Sequence, residues 1–316
     1  MIEKLRKILQ EKFLITSDKI SAQQGGWASL AYKIEDKSGH LYFLKVYEKS
    51  RKSTSYLIEN IDLYLPIVDW LHNQTCLGGK IIRLVKTRTQ SFKFEDESYV
   101  YVLFDYINGE TVGSQSLTEE QVFNLAEIVS QLHNLKDFPF ETKQISETFH
   151  LPFTSKLGEW TSQNFYQLEA NIKEILKPKL SIIENQLNEL KYLSKVLKEQ
   201  NLNFCLCHTD IHNWNIIVND KRVYLLDWEG IKFAPPEADI FSIYKQPYFS
   251  SFIEKYCELN PNYQVNNTVL HYYLISRKLQ DIFEFIEQLQ FDELNQENYK
   301  INLNYLKKEV NGLGDI

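Results

Sequence analysis

The sequence of 316 residues predicts an α+β fold with two lobes, a small N-terminal lobe containing an antiparallel sheet and a larger, mostly helical C-terminal lobe. Segments with the two-residue period of strands are concentrated between Lys19 and Phe104, whereas the helical period dominates after Thr118. The chain is long enough to bury a substantial core in each lobe.

The N-terminal part begins with an amphipathic segment, Ile2 to Phe13, in which apolar residues recur at helical spacing. Three short strands are expected next, at about Lys19–Gln24, Ser29–Glu35 and Leu41–Tyr47. Lys45 lies in the third strand between apolar neighbours, and a buried lysine requires an anionic partner. A solvated lysine on an edge strand is the alternative.

A helix ending near His72 and two further strands, Lys80–Thr87 and Ser98–Phe104, complete the predicted N-terminal lobe. The last strand leads into the segment Asp105–Asn108, which is typical of a connection between lobes. We therefore expect a lobe of residues 1–107 and a second lobe of residues 108–316.

The C-terminal lobe is predicted to be helical. A capping box at Thr118–Gln121 begins one helix, and long helical periods follow at Glu159–Leu176, Ser181–Gln200 and Asn266–Leu289. Three acidic residues of the last helix share one stripe: Asp281, Glu284 and Glu287. This stripe could attract an aminated molecule, or it could be a solvated face.

The chemistry is concentrated between Cys207 and Asp227. The first group reads His208-Thr209-Asp210-Ile211-His212-Asn213-Trp214-Asn215, and Asp227 follows a second strand-like run. Phosphoryl transfer requires hard oxygen ligands for magnesium and a carboxylate that orients the attacking hydroxyl. Asn215 and Asp227 suit the first task and Asp210 the second. Each residue alone could be a turn or cap residue, but their joint spacing favours the catalytic interpretation.

The pattern H-x-D-x-x-x-x-N, followed by D-W at the end of a strand, resembles the aminoglycoside phosphotransferase family within the protein-kinase-like fold. The sequence around Asp227 is most similar to that of spectinomycin-type phosphotransferases. The resemblance implies a two-lobed kinase-like enzyme that uses Mg²⁺ and ATP or GTP. Only a few residues separate Asp227 from Pro235, too few for the peptide-docking segment of a protein kinase.

The resemblance also implies a nucleotide site in the first lobe. Lys45 would hold the α- and β-phosphates, and Glu59 on the next helix would fix its ammonium group, with Asp62 as a reserve. The remaining implied nucleotide contacts are Gly25, Gly26 and Ser29 in the first hairpin, and the backbone of Asp105 and Ile107 at the purine. His208 and His212 would support the catalytic loop by hydrogen bonds.

Three residues depart from the family pattern. Thr209 replaces the usual glycine or arginine, and Trp214 stands where a small residue is common. Glu229 replaces the glycine of D-F-G and brings a carboxylate close to the predicted metal. This third change could alter the geometry of the substrate or of the metal.

Composition excludes several other classes. The formal net charge of −7 argues against general nucleic-acid binding, and no apolar run is long enough to cross a bilayer. The N-terminus lacks the apolar core of a signal peptide, so we expect a cytoplasmic protein without nucleic-acid or membrane partners. Cys205 and Cys207 are interpreted as small buried hydrophobic residues rather than metal ligands.

The leading hypothesis is phosphoryl transfer to a hydroxyl of a small molecule, with a cationic aminoglycoside-type antibiotic as the expected acceptor. A metabolic kinase acting on choline, homoserine, methylthioribose or a fructosamine would share the same fold and catalytic loop. A catalytically silent nucleotide-binding module is the third possibility, although the four residues Lys45, Asp210, Asn215 and Asp227 are intact. The sequence does not indicate the oligomeric state.

Overall fold

An antiparallel sheet forms the centre of the N-terminal lobe in the computed structural model, which describes residues 1–23, 29–51 and 55–314. The strand order is β1-β2-β3-β6-β4, with β5 paired to β6. The strands are β1 (Ser17–Gln23), β2 (Leu30–Asp36), β3 (Leu41–Glu48), β4 (Leu84–Val85), β5 (Phe94–Glu95) and β6 (Tyr99–Asp105). The strand β3 is therefore central rather than at an edge.

The two faces of this sheet bury different residues of β3. Helix α1 (Ile2–Phe13) packs against the face that carries Leu44 and Val46, whereas Tyr47 belongs to the core beneath helix α2 (Ser55–Gln74). Because side chains alternate along a strand, Lys45 and Tyr47 share the second face. The sheet thus places the lysine on the side of α2 and of the C-terminal lobe.

Short antiparallel strands in the C-terminal lobe frame the motif-bearing segment. They are β7 (Glu110–Thr111), β8 (Cys205–Cys207), β9 (Ile216–Asn219), β10 (Arg222–Leu225) and β11 (Lys232–Ala234). The strands β9 and β10 form a hairpin that also pairs with β7, and β8 pairs with β11.

Helices build the rest of the C-terminal lobe around a large apolar core. They are α3 (Glu119–His133), α4 (Phe153–Thr161), α5 (Ala170–Leu176), α6 (Leu180–Lys198), α7 (Glu237–Tyr244), α8 (Phe249–Leu259), α9 (Asn267–Phe291) and α10 (Gln296–Asn311). The capping box at the start of α3 is confirmed, since Thr118 and Gln121 exchange both hydrogen bonds. The predicted two-lobed α+β fold is confirmed as well.

The helical prediction for Glu159–Leu176 is wrong in its middle. Helix α4 ends at Thr161, and α5 begins only at Ala170. The hydroxyl groups of Thr161 and Ser162 donate to the carbonyls of Leu157 and Gly158, and such local bonds compete with the continuing helix.

Two other predicted elements differ from the structure. Between Lys80 and Thr87 only two residues pair within the sheet, because Ile81 instead bridges to Leu225 of the C-terminal lobe. Ser181 and Glu184 also match the sequence pattern of a capping box, but α6 begins at Leu180 and its N-cap residue, Lys179, makes no side-chain cap hydrogen bond. Among the described residues, no helix is both long enough and apolar enough to span a membrane.

Candidate active site

The strand ends bring the three motif residues together. Asp210 follows β8, Asn215 directly precedes β9, and Asp227 lies two residues after β10. The backbone N–H of Leu226 donates to the carbonyl of Asn215 at 2.9 Å, which ties the two ends of the hairpin to each other. The loop and the Asp227 segment are therefore fixed side by side by backbone pairing.

Asp210 uses both carboxylate oxygens. Asn215 Nδ2 donates to Oδ2 at 2.9 Å, and Arg277 Nη1 donates to Oδ1 at 3.1 Å. Burial would raise the pKa of Asp210, but Arg277 and His212 more than reverse this effect and hold its pKa well below its ordinary value. The carboxylate is thus ionised and oriented.

His208 lies beneath the loop and is fully buried. Its Nδ1 accepts the backbone N–H of Asp210 at 3.2 Å, so its Nε2 carries the proton that is donated to the carbonyl of Leu226 at 2.7 Å. These bonds join the catalytic loop to the residue before Asp227.

Asp239 supports the same loop from α7. It lies in the first turn of α7 and is fully buried. Its carboxylate accepts the backbone N–H groups of His208 and Thr209. Thr209 has φ of 69°, a left-handed conformation that is uncommon for a β-branched residue, and these bonds hold it there.

His212 lies on the open side of the loop. Its Nε2 is 3.4 Å from Asp210 Oδ2 and 3.4 Å from Asn215 Nδ2, so it contacts both motif residues. Burial lowers the pKa of His212, but Asp210 outweighs burial and raises it above its ordinary value.

Lys45 reaches across the cleft to two carboxylates. Its Nζ is 2.7 Å from Asp227 Oδ1 and 2.7 Å from Glu229 Oε1. Burial acts to lower the pKa of the ammonium group, but the two carboxylates reverse this and raise it. Glu229 also accepts a hydrogen bond from the hydroxyl of Tyr47. The buried cation is therefore fully compensated.

Glu59 is not a partner of Lys45 in this structure. It is exposed on α2, whose inward face carries Ile61, Tyr64 and Leu65. The reserve candidate, Asp62, pairs with Lys93 at 2.8 Å. Both acids lie on the exposed side of α2 and do not contact Lys45.

The other predicted nucleotide residues are partly described. Gly25 and Gly26 lie outside the described residues, and Ser29 is a half-buried residue just before β2. At the connection between lobes, the Asp105 N–H donates to the carbonyl of Arg83, and its carboxylate contacts His40 and Arg83. Ile107 packs against the apolar core.

Helix α9 forms the other wall of the site. Arg277 Nε is 2.8 Å from Asp281, and burial raises the pKa of Glu284 to about 7 despite the nearby Arg277. Burial and the negative charge of Glu284 raise the pKa of the Tyr56 hydroxyl on α2, and the Arg277 charge opposes this rise. Sequence reasoning identified the acidic residues of this helix but missed Arg277, because two adjacent basic residues in a charged helix give no distinctive pattern.

A group of sulfur and nitrogen donors lies just behind the loop. Donor atoms of His133, Cys205 and Cys207 are within 4.8 Å of one another, and all three residues are buried. His133 is already hydrogen bonded through both ring nitrogens, to Tyr256 at 2.6 Å and Asp239 at 2.9 Å. The contacts therefore suit packing and hydrogen bonding better than metal ligation.

The residues available to magnesium are hard oxygen donors. The amide nitrogen of Asn215 donates to both the carbonyl and the carboxylate of Asp210, so its Oδ1 is the atom left for a cation. Asp227 supplies a carboxylate on the adjacent strand end, and its φ of 63° is imposed by the turn. This donor set fits Mg²⁺.

Comparison with known proteins identifies the family and the fold of the chain. The model of the phosphotransferase enzyme family matches residues 19–264. A solved spectinomycin phosphotransferase in complex with ADP and spectinomycin is 19% identical with a TM-score of 0.79, covering 99% of this chain and 98% of that chain. No curated protein sequence matches the chain significantly.

Two further solved structures share the fold. An amicoumacin kinase in complex with AMP-PNP, Ca²⁺ and its ligand has a TM-score of 0.64 at 10% identity, with 98% of this chain and 93% of that chain covered. An aminoglycoside-3'-phosphotransferase of type VIII has a TM-score of 0.60 at 15% identity, with 88% and 97% covered. The family match spans more than half of the chain, so this protein belongs to the phosphotransferase enzyme family and has its two-lobed, kinase-like fold.

Proposed function

We propose that the protein transfers the γ-phosphoryl group of ATP or GTP to a hydroxyl group of a small molecule, and that the acceptor is an aminoglycoside-type antibiotic. The observation that carries this proposal is the convergence of Asp210, Asn215 and Asp227 at adjacent strand ends, with Lys45 bonded to Asp227. These groups supply the parts that phosphoryl transfer requires.

Each residue has a defined task in this proposal. Asp210, ionised and held by Asn215, accepts the hydrogen bond of the acceptor hydroxyl, directs its oxygen at phosphorus and takes its proton as transfer proceeds. Asn215 and Asp227 would hold Mg²⁺, which neutralises charge on the phosphates when bound. Lys45 would contact the α- and β-phosphates.

In this proposal Glu229, and not Glu59, is the carboxylate that positions the ammonium group of Lys45. A 2.7 Å contact and an exposed fraction of only 11% for the Glu229 side chain support this choice. If Asp227 held a cation, Glu229 would still hold the ammonium group of Lys45 in place. Its burial and the neighbouring Asp227 raise the pKa of Glu229, and the Lys45 charge opposes this rise.

The nucleotide is proposed to bind chiefly to residues 1–107, with its phosphates under the hairpin of Gly25, Gly26 and Ser29. Its purine would lie against the backbone of Asp105 and Ile107. The acceptor would then bind to residues 108–316, beside Asp210 and α9.

An antibiotic acceptor is supported by two observations. The spectinomycin phosphotransferase with the same fold was solved with spectinomycin bound. In this chain, Glu287 pairs with Lys156 at 2.9 Å and Asp281 with Arg277, so of the acidic stripe on α9 it is the carboxylate of Glu284 that offers a site for an ammonium group, and the chain carries a formal net charge of −7. Metabolic alcohol kinases remain the second candidate, and the Arg277 charge beside Asp210 favours them, since it suits a less cationic acceptor.

The test is nucleoside-diphosphate release by the purified protein with Mg²⁺ and ATP or GTP. The acceptor panel contains aminoglycosides, spectinomycin, choline, homoserine and methylthioribose, and ³¹P NMR identifies the phosphate monoester that forms. Turnover that depends on an antibiotic supports the proposal. Turnover with a metabolite alone supports the second candidate instead. Nucleoside-diphosphate release that depends on no acceptor contradicts both candidates.

A further inference from the structure

Arg277 contacts Oδ1 of Asp210, the carboxylate oxygen that Asn215 and His212 leave free for an acceptor hydroxyl. Asp210 Oδ2 is engaged by Asn215, whose amide would keep this bond while its oxygen holds a cation. Asp210 Oδ1 is engaged by Arg277 Nη1 at 3.1 Å. A hydroxyl that donates to Asp210 therefore competes with, or lies beside, the guanidinium group.

The guanidinium group is held firmly in that place. Its Nε is 2.8 Å from Asp281, one turn further along α9, so carboxylates at both ends fix its orientation. Even so, 41% of the Arg277 side chain is exposed, and a ligand in the cleft can reach it. Five N–H donors are present on an arginine, and these two contacts use two of them.

An arginine in this position discriminates between neighbouring groups of the acceptor. It is always positively charged and has donors but no acceptor, so it binds oxygen functions and repels ammonium groups. The carbon adjacent to the one that bears the reacting hydroxyl should lie within a few ångströms of this charge, because the hydroxyl and the guanidinium group share one carboxylate. An amine on that carbon would meet the guanidinium directly.

We propose that Arg277 is a specificity-determining residue. It requires an oxygen function, and not an amine, on the carbon adjacent to the one that bears the phosphorylated hydroxyl. Amines elsewhere on the acceptor are compatible with this rule. Glu284 lies seven residues further along α9, about 10 Å along the helix axis, and its carboxylate could receive such an amine. The inference rests on the proposed phosphotransfer function and refines its substrate class.

The test uses two probes that differ only at the position in question, trans-1,2-cyclohexanediol and trans-2-aminocyclohexanol. For each, kcat/KM for phosphoryl transfer is measured, and NMR titration gives the Kd for the full-length protein loaded with AMP-PNP and Mg²⁺. The variants are Arg277→Gln and Arg277→Lys. Lys278→Gln is the matched control, because Lys278 is the neighbouring cation of α9 and pairs with Glu309 instead.

We expect the wild type and Lys278→Gln to prefer the diol by about tenfold or more, in KM and Kd rather than in kcat. Arg277→Gln should bring this ratio close to one or reverse it, since Asp281 then lacks its partner, and Arg277→Lys should restore most of the preference. Equal affinity for the two probes in the wild type, no affinity for either, or an unchanged ratio in Arg277→Gln overturns the inference.

These outcomes are separate from those of the proposed function. If no acceptor supports nucleoside-diphosphate release, the phosphotransfer proposal fails, and the ratio of the two Kd values still decides the role of Arg277. If transfer occurs but the two probes are treated alike, only the inference about Arg277 fails.

Discussion

Replacing Glu229 tests how this protein positions its phosphate-binding lysine. The contact between Lys45 and Glu229 is 2.7 Å long, and the exposed fractions of the two side chains are 14% and 11%. Removing one partner of such a buried pair typically costs about 3–5 kcal/mol. Since Asp227 still pairs with Lys45, we expect Glu229→Ala to lower the free energy of unfolding by about 3 kcal/mol, at the lower end of this range.

Glu229→Gln is the more informative variant for activity, because it keeps the shape and the hydrogen bond of the side chain. We expect it to raise the KM for the nucleotide about tenfold, equivalent to about 1.4 kcal/mol, while the KM for the acceptor stays unchanged. The reason is that a carboxylate of Asp227 that binds a cation interacts more weakly with the ammonium group of Lys45, so Lys45 then depends on Glu229.

The matched control is Glu59→Gln on the exposed side of α2. We expect this variant to stay within about 0.5 kcal/mol of the wild type in urea denaturation and to keep its nucleotide KM. The reasoning is refuted if Glu59→Gln raises the nucleotide KM and Glu229→Gln does not. That result would restore the ion pair expected from the sequence.

Two further predictions concern stability. A Cβ at Gly109 would lie 2.5 Å from the carbonyl oxygen of Val218, so Gly109→Ala should lower the free energy of unfolding by about 1–3 kcal/mol. At Gly158 in α4 an added Cβ would meet nothing within 4 Å beyond its own stretch of helix, so Gly158→Ala should raise the free energy of unfolding by about 0.5–1 kcal/mol. Urea denaturation of both variants measures the two changes. The pKa of Glu284 is raised to about 7 in the folded protein, above its ordinary 4.5, so the contribution of this group to stability is present at low pH and is lost as the pH rises through about 7. Between pH 5 and 8 the wild type should therefore lose about 2 kcal/mol relative to Glu284→Gln, and parallel denaturation curves at the two pH values would contradict this.

The catalytic loop was predictable because its residues are close together in sequence. Asp210 and Asn215 are five positions apart, and Asp227 ends the hairpin that follows, so strand-end placement alone brings them together. Lys45 was predictable for a similar reason, as a charge in an otherwise apolar strand. The alternation of β3 then determines which face it occupies.

The partners of these residues were harder to predict, because they depend on contacts between distant segments. Glu59 fits the spacing of a helical acid after a strand-borne lysine, but the register of α2 turns it to solvent. Glu229 was noted as a departure from the family pattern, yet its pairing with Lys45 depends on how the lobes meet. Arg277 is 67 residues from Asp210, and nothing in its local sequence indicates the contact.

The most direct test of the central claim is acceptor-dependent nucleoside-diphosphate release by the wild type and by Asp210→Asn, with nucleotide affinity measured on both proteins. The account predicts that Asp210→Asn lowers kcat by about a thousandfold or more and binds ATP and Mg²⁺ as tightly as the wild type does. If Asp210→Asn turned over at the wild-type rate, Asp210 would not be the residue that orients the acceptor, and the assignment of the site would be wrong.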